Sequence, residues 1–182
     1  MNLNVEKILI IGLGMIGSSI ALASKSKGIK VYGFDKSNNS IKEALEKNII
    51  DSKVESILDI NSKDFVKKVD LIIVAVPPKQ TLDVLNDLKG IWNTDVTITD
   101  TSSVKNHIKL NGASNIVLSH PIAGSDQSGI SAANGDLFKN KKNVLCDPFN
   151  SKKGHFEKVD NFWKNALQMR TCLLYTSDAA DE

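Results

Sequence analysis

One stretch sets the fold of this chain: Ile8-Leu9-Ile10-Ile11-Gly12-Leu13-Gly14-Met15-Ile16-Gly17-Ser18-Ser19-Ile20-Ala21. An apolar run of strand length ends at glycines spaced G-x-G-x-x-G, and small and apolar residues typical of a helix follow at once. A strand, a tight turn and a helix in this order form the first unit of a dinucleotide-binding fold. The stretch therefore predicts an α/β protein that binds a nucleotide at this turn.

Each glycine of the turn has a separate predicted role. Gly12 permits the sharp turn out of the strand, Gly14 lets the backbone approach a pyrophosphate, and Gly17 lets the helix pack close to the sheet. The free N–H groups and the positive dipole end of the helix start form an anion site. The predicted cofactor-binding residues of the turn are Gly12, Leu13, Gly14, Met15, Ile16 and Gly17.

Asp35 follows a second predicted strand, Lys30-Val31-Tyr32-Gly33-Phe34. It lies close to the position, about 20 residues beyond the glycines, at which a carboxylate binds the hydroxyl groups of an adenosine ribose. An acidic group there repels a 2′-phosphate by roughly 1 to 4 kcal/mol at a separation of about 4 Å. We therefore predict NAD rather than NADP, a preference that Lys36 softens. The alternative is that Asp35 only stabilises the turn before Ser37.

The composition is ordinary for a soluble globular protein. The 182 residues are 41% apolar and 24% charged, with a net charge of +2, which is enough chain for one α/β domain. Scattered lysines and the small net charge argue against nucleic-acid and membrane partners. We see no signal pattern and no apolar run of membrane-spanning length, and we expect a cytoplasmic protein. Cys146 and Cys172 form neither a disulfide framework nor a metal-ligand pattern.

The last segment differs in composition from everything before it. Residues 172–182 contain no Lys, Asn or Ile, although these residues dominate the rest of the chain. The segment resembles the translation of a sequencing-library adapter. We expect residues 1–171 to form the NAD-binding domain and residues 172–182 to be a non-native tail that replaces the rest of a longer protein. The alternative is a genuine acidic C-terminus.

Strand and helix patterns alternate through the chain. This alternation predicts a Rossmann-type, doubly wound, mostly parallel sheet. Further strands are predicted at 70–76, 96–99, 116–119 and 144–146, with an ambiguous one at 49–54. Helices are predicted at 41–47, 81–88 and 104–110, and an amphipathic helix over 156–167.

Ligands of open α/β sheets bind outside the carboxyl ends of the strands. Val76-Pro77 ends the central strand, where it is expected to pack on the nicotinamide ribose. His120 is the only histidine at a clear strand end, and a histidine can accept a hydroxyl proton near neutral pH. The alternative is that His120, which precedes Pro121, merely caps the strand. We expect His107 and His155 to face solvent.

Ser103 lies at the adjacent strand end. It could hydrogen-bond His120 or the substrate, and it could also cap the helix predicted to begin at Val104.

Three segments together resemble those of the prephenate dehydrogenases and their arogenate-using relatives. They are Gly12-Leu13-Gly14-Met15-Ile16-Gly17, Asp100-Thr101-Ser102-Ser103-Val104-Lys105 and His120-Pro121-Ile122-Ala123-Gly124-Ser125-Asp126-Gln127-Ser128-Gly129. The resemblance covers residues 7–171, and the third segment is its most specific part. Asp126 stands where many members have Glu, and Ser18 where many have Gly, but neither difference disturbs the resemblance.

The resemblance implies a reaction and a set of roles. Prephenate and NAD⁺ become 4-hydroxyphenylpyruvate, CO₂ and NADH in tyrosine biosynthesis. His120 accepts the proton of the ring hydroxyl, and Ser103 bridges the histidine, the substrate hydroxyl and the nicotinamide. Ser125 and Asp126 lie at the substrate mouth.

The family normally continues into a helical domain that forms a homodimer and supplies an arginine for the substrate carboxylates. Arg170, the only arginine here, is not assigned that role. We therefore expect the isolated chain to bind NAD without appreciable turnover. The choice between prephenate and arogenate stays open.

Two other functions were weighed. One is a 3-hydroxyacid or 6-phosphogluconate type dehydrogenase, which uses a lysine as its main base and lacks His-Pro-Ile-Ala-Gly after this strand. The other is a non-catalytic NAD-sensing module, which does not require a histidine and a serine at adjacent strand ends.

Overall fold

A computed structural model describes residues 5–105, 108, 110–124, 127–147 and 151–174 of the chain. In this part of the chain, eight strands form one sheet in the order β3-β2-β1-β4-β5-β6-β7-β8. Every neighbouring pair is parallel except β6 and β7, which are antiparallel. The strands are β1 (Lys7–Ile11), β2 (Lys30–Phe34), β3 (Ser52–Lys53), β4 (Leu71–Val74), β5 (Thr97–Asp100), β6 (Ile116–Ile122), β7 (Lys142–Cys146) and β8 (Arg170–Leu174).

Helices cover both faces of the sheet, as the predicted doubly wound fold requires. They are α1 (Met15–Lys25), α2 (Asn38–Glu46), α3 (Ile57–Ile60), α4 (Lys63–Val66), α5 (Pro78–Asp87) and α6 (Lys153–Asn161). Two short 3₁₀ turns lie at Lys89–Ile91 and Ile130–Ala132, and a π-helical turn at Phe162–Ala166 continues α6. No helix in the described ranges is both long and apolar enough to cross a membrane.

The two central strands are buried on both faces. Ile8 and Ile10 of β1 belong to one core cluster, whereas Leu9 and Ile11 belong to the cluster on the opposite face. β4 divides its side chains between the same two clusters. Burial on both faces explains why these strands read as continuous apolar runs rather than alternating ones. The prediction of central parallel strands is confirmed.

The glycine turn packs α1 tightly against the end of β1. Gly12 has a φ of +97°, a conformation that favours glycine. A Cβ atom on Gly17 would lie 1.9 Å from the carbonyl oxygen of Gly12 and 3.1 Å from Cγ2 of Ile10. The absence of a side chain at Gly17 therefore sets the distance between the helix and the turn.

The predicted helix over 104–110 is wrong for the described residues of that range. Val104, Lys105, Ile108 and Leu110 lie outside any helix. The Ser102 hydroxyl binds both the amide and the carbonyl of Val104, at 3.2 and 3.1 Å. Side-chain bonds to the backbone compete with helix formation in this way. Ser103 is therefore not the cap of a helix here.

His155 was expected to face solvent, and this expectation is wrong. Only 2% of the residue is exposed, and its Nδ1 lies 2.7 Å from Oγ1 of Thr97. The buried face of α6 and the following turn runs through His155, Val159, Phe162 and Ala166, which is helical spacing. Burial lowers the pKa of His155, and the charges of Lys158 and Lys152 lower it further, against a smaller opposing effect of Asp95. His107 lies outside the described residues.

Two other elements differ in extent from the predictions. The ambiguous strand over 49–54 is reduced to Ser52–Lys53, because Ile49 still hydrogen-bonds to Ala44 at the end of α2. The proposed tail begins inside β8, which places Cys172 opposite Val144 of β7. Residues 175–182 lie outside the described residues.

The Gly17 contact generates a stability prediction. Gly17→Ala should lower the free energy of unfolding by about 1–3 kcal/mol, because an added methyl group overpacks a backbone contact. Gly14→Ala is the matched control, since nothing lies within 4 Å of a Cβ at that position, and it should cost less than about 1 kcal/mol. Urea unfolding of the three chains measures both values. Equal stability of Gly17→Ala and the wild type would contradict the packing argument.

Candidate active site

The carboxyl ends of β1, β2, β4, β5 and β6 open onto one cleft of about 630 Å³. Parallel pairing brings these ends to the same edge of the sheet, which is where ligands of open α/β sheets bind. The cleft is lined by most of the predicted site residues, namely Gly12, Gly14, Met15, Ile16, Asp35, Val76, Pro77, Ser103 and His120.

Two predicted residues of the glycine turn do not line the cleft. Leu13 points its side chain into the core, where it is fully buried, and Gly17 lies in the packing contact described above. Both belong to the turn without reaching the cleft surface. Ser125 and Asp126 lie outside the described residues.

Asp35 is held between the glycine turn and the start of α2. Its Oδ2 accepts a hydrogen bond from the Leu13 amide at 2.7 Å, and its Oδ1 accepts one from the Ser37 amide at 2.8 Å. Ser37 in turn caps α2 by accepting from the Ser40 amide at 3.2 Å. The carboxylate thus has the turn role considered above, and it still borders the cleft.

The start of α1 is suited to an anion. In the described chain, no side chain caps this helix, and its first turn contains no acidic residue. Its amide groups and dipole therefore offer positive potential to the cleft. A Cβ on Gly14 would meet no atom within 4 Å, so the space above this turn is open to a ligand.

His120 is half-buried on β6, where it lies opposite Val144 of β7. Burial lowers the pKa of its imidazole, and the positive charge of Lys105 lowers it further, against a smaller opposing effect of Asp100. The imidazole is therefore neutral near pH 7 and can accept a proton. Ser103 is exposed and lines the same cleft.

An ion pair that the sequence analysis did not single out lies beside these residues. The Lys105 ammonium is 2.6 and 2.5 Å from the two carboxylate oxygens of Asp100. Burial raises the pKa of Asp100 and lowers that of Lys105, and the attraction between the two charges opposes both shifts. In the sequence, an acidic residue at a strand end is followed five residues later by a lysine. This spacing alone does not show that the two side chains form an ion pair.

Several other residues line the cleft, although no individual role was assigned to them from the sequence. They come from the segments after β4, β5 and β6 and include Gln80, Thr101, Ser102, Gln127, Ser128 and Gly129.

Comparison with known proteins places this cleft in a family. The profile of the prephenate dehydrogenase nucleotide-binding domain matches residues 20–169. A prephenate dehydrogenase of Bacillus subtilis is 34% identical over 174 residues, which cover 90% of this chain and 45% of that protein. One of Lactococcus lactis is 38% identical over 152 residues, covering 78% and 41% of the two chains. The chain thus spans less than half the length of these curated relatives.

Solved structures agree with this assignment. The crystal structure of prephenate dehydrogenase from Aquifex aeolicus in complex with hydroxyphenyl propionate and NAD⁺ superposes with a TM-score of 0.83. The two sequences are 27% identical, and the match covers 96% of this chain and 61% of that one. From the matched profile and these relatives, we conclude that the chain belongs to the prephenate dehydrogenase family, in which it corresponds to the nucleotide-binding domain.

Proposed function

We propose that the chain is the NAD-binding part of a prephenate dehydrogenase, which converts prephenate to 4-hydroxyphenylpyruvate and CO₂ in tyrosine biosynthesis. One observation carries the proposal. A single cleft joins an anion-binding turn and Asp35 at one side to His120 and Ser103 at the other. Binding a nucleotide requires only the first pair of features. The second pair provides proton transfer, which favours an enzyme over a non-catalytic sensor.

The cleft fits NAD. The free amides at the start of α1 would hold the pyrophosphate, and the open space above Gly14 lets a ligand approach the backbone. Asp35 would hold the hydroxyl groups of the adenosine ribose, and Val76 and Pro77 would border the nicotinamide ribose. When bound, NAD⁺ supplies the acceptor for the hydride that leaves the substrate.

His120 is the proposed general base. Its neutral imidazole accepts the proton of the substrate ring hydroxyl as the carbon that carries this hydroxyl loses its hydride. The Ser103 hydroxyl, in the same cleft, orients that group by hydrogen bonding. The ring carboxylate then leaves as CO₂, its bonding electron pair stays in the ring to make it aromatic, and the phenolic oxygen takes the proton back from His120. Formation of the aromatic ring drives the reaction forward.

The remaining parts of the activity belong to the full-length protein. We propose that it continues into a helical domain that supplies an arginine for the substrate carboxylates and forms a cytoplasmic homodimer. Ser125 and Asp126 are proposed to lie at the substrate mouth, and residues 172–182 to be non-native. Assaying NADH formation by the full-length protein with prephenate and with arogenate separately tests both the activity and the substrate.

Asp35 should set the choice between the two nicotinamide cofactors. Removing its charge in Asp35→Ser removes a repulsion of roughly 1 to 4 kcal/mol toward a 2′-phosphate. The ratio of NADH to NADPH affinity should therefore fall by about fivefold or more, since about 1.4 kcal/mol is a factor of ten. Fluorescence titration of this chain measures both affinities. Asp83→Ser, which removes an exposed carboxylate of α5 outside the cleft, should leave the ratio unchanged, and an unchanged ratio in Asp35→Ser would contradict the role.

His120→Asn should abolish proton transfer without disturbing the nucleotide site. In the full-length protein we expect kcat to fall by about 10²- to 10⁴-fold, the usual contribution of a general base. The NADH dissociation constant should change little and serves as the internal control for folding. An unaltered kcat would remove the base assignment.

The pH dependence follows from the direction of the pKa shift. A base must be deprotonated, so kcat/KM should be constant at neutral pH and fall as the pH drops through the pKa of His120. Burial and Lys105 hold this pKa below its ordinary value of 6.5. The acid limb of the profile should therefore have its midpoint below pH 6.5. A midpoint at or above pH 6.5 would show that the pKa of the imidazole is not lowered in the active enzyme.

A further inference from the structure

On the side facing β5, the backbone of Ser119 bonds to side chains rather than to the neighbouring strand, although β6 still pairs with β7, where Ser119 lies opposite Leu145. The paired register of β5 and β6 ends with Thr99 opposite Val117. Beyond it, Oδ1 of Asp100 accepts a hydrogen bond from the Ser119 amide at 3.0 Å, and the Lys105 ammonium donates to the Ser119 carbonyl at 2.7 Å. The second of these peptide groups is the one that joins Ser119 to His120. The ion pair therefore takes the place of pairing with β5 at the residue directly before His120.

The same carboxylate also holds the neighbouring loop. Oδ2 of Asp100 accepts a hydrogen bond from the Ser102 amide at 3.0 Å, and Ser102 directly precedes Ser103. One buried carboxylate thus contacts both segments that carry the proposed catalytic groups. We call Asp100 and Lys105 together the clamp.

The side chain of Ser119 is fixed as firmly as its backbone. Its hydroxyl lies 2.7 Å from Oγ1 of Thr99 and accepts a hydrogen bond from the Trp163 indole at 3.0 Å. These contacts lie on the opposite face of the sheet from His120, because neighbouring residues of a strand point to opposite faces. The residue before His120 is therefore held through both its backbone and its side chain.

Stability alone does not account for the clamp. Asp100 is fully buried and the Lys105 side chain is 19% exposed. An ion pair this deep generally contributes no more to stability than well-packed apolar residues of the same volume. The pair lies between the end of β5 and Ser119 in the middle of β6, beside a histidine in a cleft, and this placement suggests a second role.

We propose that Asp100 and Lys105 are positioning residues for His120. They fix β6 at Ser119, the residue before His120, so that the imidazole stands in the same cleft as Ser103. The positive charge of Lys105 also lowers the pKa of that imidazole. The proposal rests on the proposed role of His120 as the general base.

Other charged groups near the imidazole do not offer the same effect. Within the described ranges, β7 contributes Cys146, whose thiol has its pKa raised by burial, and Lys142, which is exposed and lies opposite Ile122. The titratable groups of the buried face of α6 lie at the other end of the sheet, where His155 contacts Thr97 at the first position of β5. Among the described residues, Lys105 and Asp100 are thus the charges that shift the pKa of His120.

The test compares Lys105→Met with Lys25→Met. Lys25 is a matched control because its side chain is also 19% exposed and pairs with an aspartate, Asp51, that accepts a hydrogen bond from a strand amide. It lies at the far end of α1 from the cleft. Imidazole signals of the 182-residue chain are titrated by NMR, and kinetics are measured on the full-length protein.

The expected result has two parts. The pKa of His120 rises in Lys105→Met and stays at its wild-type value in Lys25→Met, because only the first change removes the neighbouring positive charge. The kcat of Lys105→Met falls by about 10- to 100-fold, since a displacement of about 1 Å can cost about 100-fold, while NADH affinity is kept. The acid limb of its kcat profile moves to higher pH, which a purely structural role would not cause.

If Lys105→Met does not fold, the pKa of His120 and kcat are measured on Lys105→Gln instead. Glutamine can still donate to the Ser119 carbonyl without the charge, so it should raise the pKa of His120 with a smaller loss of kcat. An unchanged His120 pKa with unchanged kcat overturns the proposal. Failure of both variants to fold also overturns it, because the pair would then be a stability element.

Failure of the proposed function can be told apart from failure of the clamp. If the wild-type full-length protein forms no NADH from prephenate or arogenate, the proposed function fails. The NMR titration still decides whether Lys105 controls His120. If the wild type is active and the titration shows no difference between the two lysine variants, the clamp fails and the proposed function stands.

Discussion

β1 and β4 are buried on both faces, and this burial determines where the site is built. The backbone amide and carbonyl groups of such a central strand hydrogen-bond to neighbouring strands on both sides. Here the strands on both sides of β1 are parallel to it. Parallel neighbours place their carboxyl ends at one edge. The glycine turn, Asp35 and the Val76-Pro77 corner reach the cleft because they are the next residues after three such strands.

The two sides of the cleft are held by different kinds of interaction. The nucleotide side depends on contacts within the first strand–turn–helix unit, above all the close approach of Gly17 to the Gly12 carbonyl. The histidine side depends on side chains that reach across from another strand, since β5 and β6 no longer pair at Ser119. Local sequence therefore specifies the first side, whereas the second is specified by tertiary contacts.

This difference explains what could be predicted. The apolar runs of β1 and β4 carry their own signal, and the glycine spacing locates the turn without further information. The segment after β5 carries a misleading signal: its apolar spacing is compatible with a helix, but Ser102 binds the local backbone and Lys105 is drawn toward Asp100. Nothing in the local pattern shows that this lysine also meets a carbonyl 14 residues away.

His155 illustrates the same point at the other end of the sheet. Its polar sequence neighbours suggested exposure, but helical spacing puts it on the buried face with Val159, and Thr97 supplies the hydrogen bond that makes this burial tolerable. His120 differs in a way that matters for chemistry, because it stays half-exposed to a cleft while burial and the positive charge of Lys105 lower its pKa. Two histidines with pKa values lowered mainly by burial thus lie in different environments. His155 is hydrogen-bonded internally and stabilises the fold, whereas His120 faces the cleft, where we propose that it acts on a substrate.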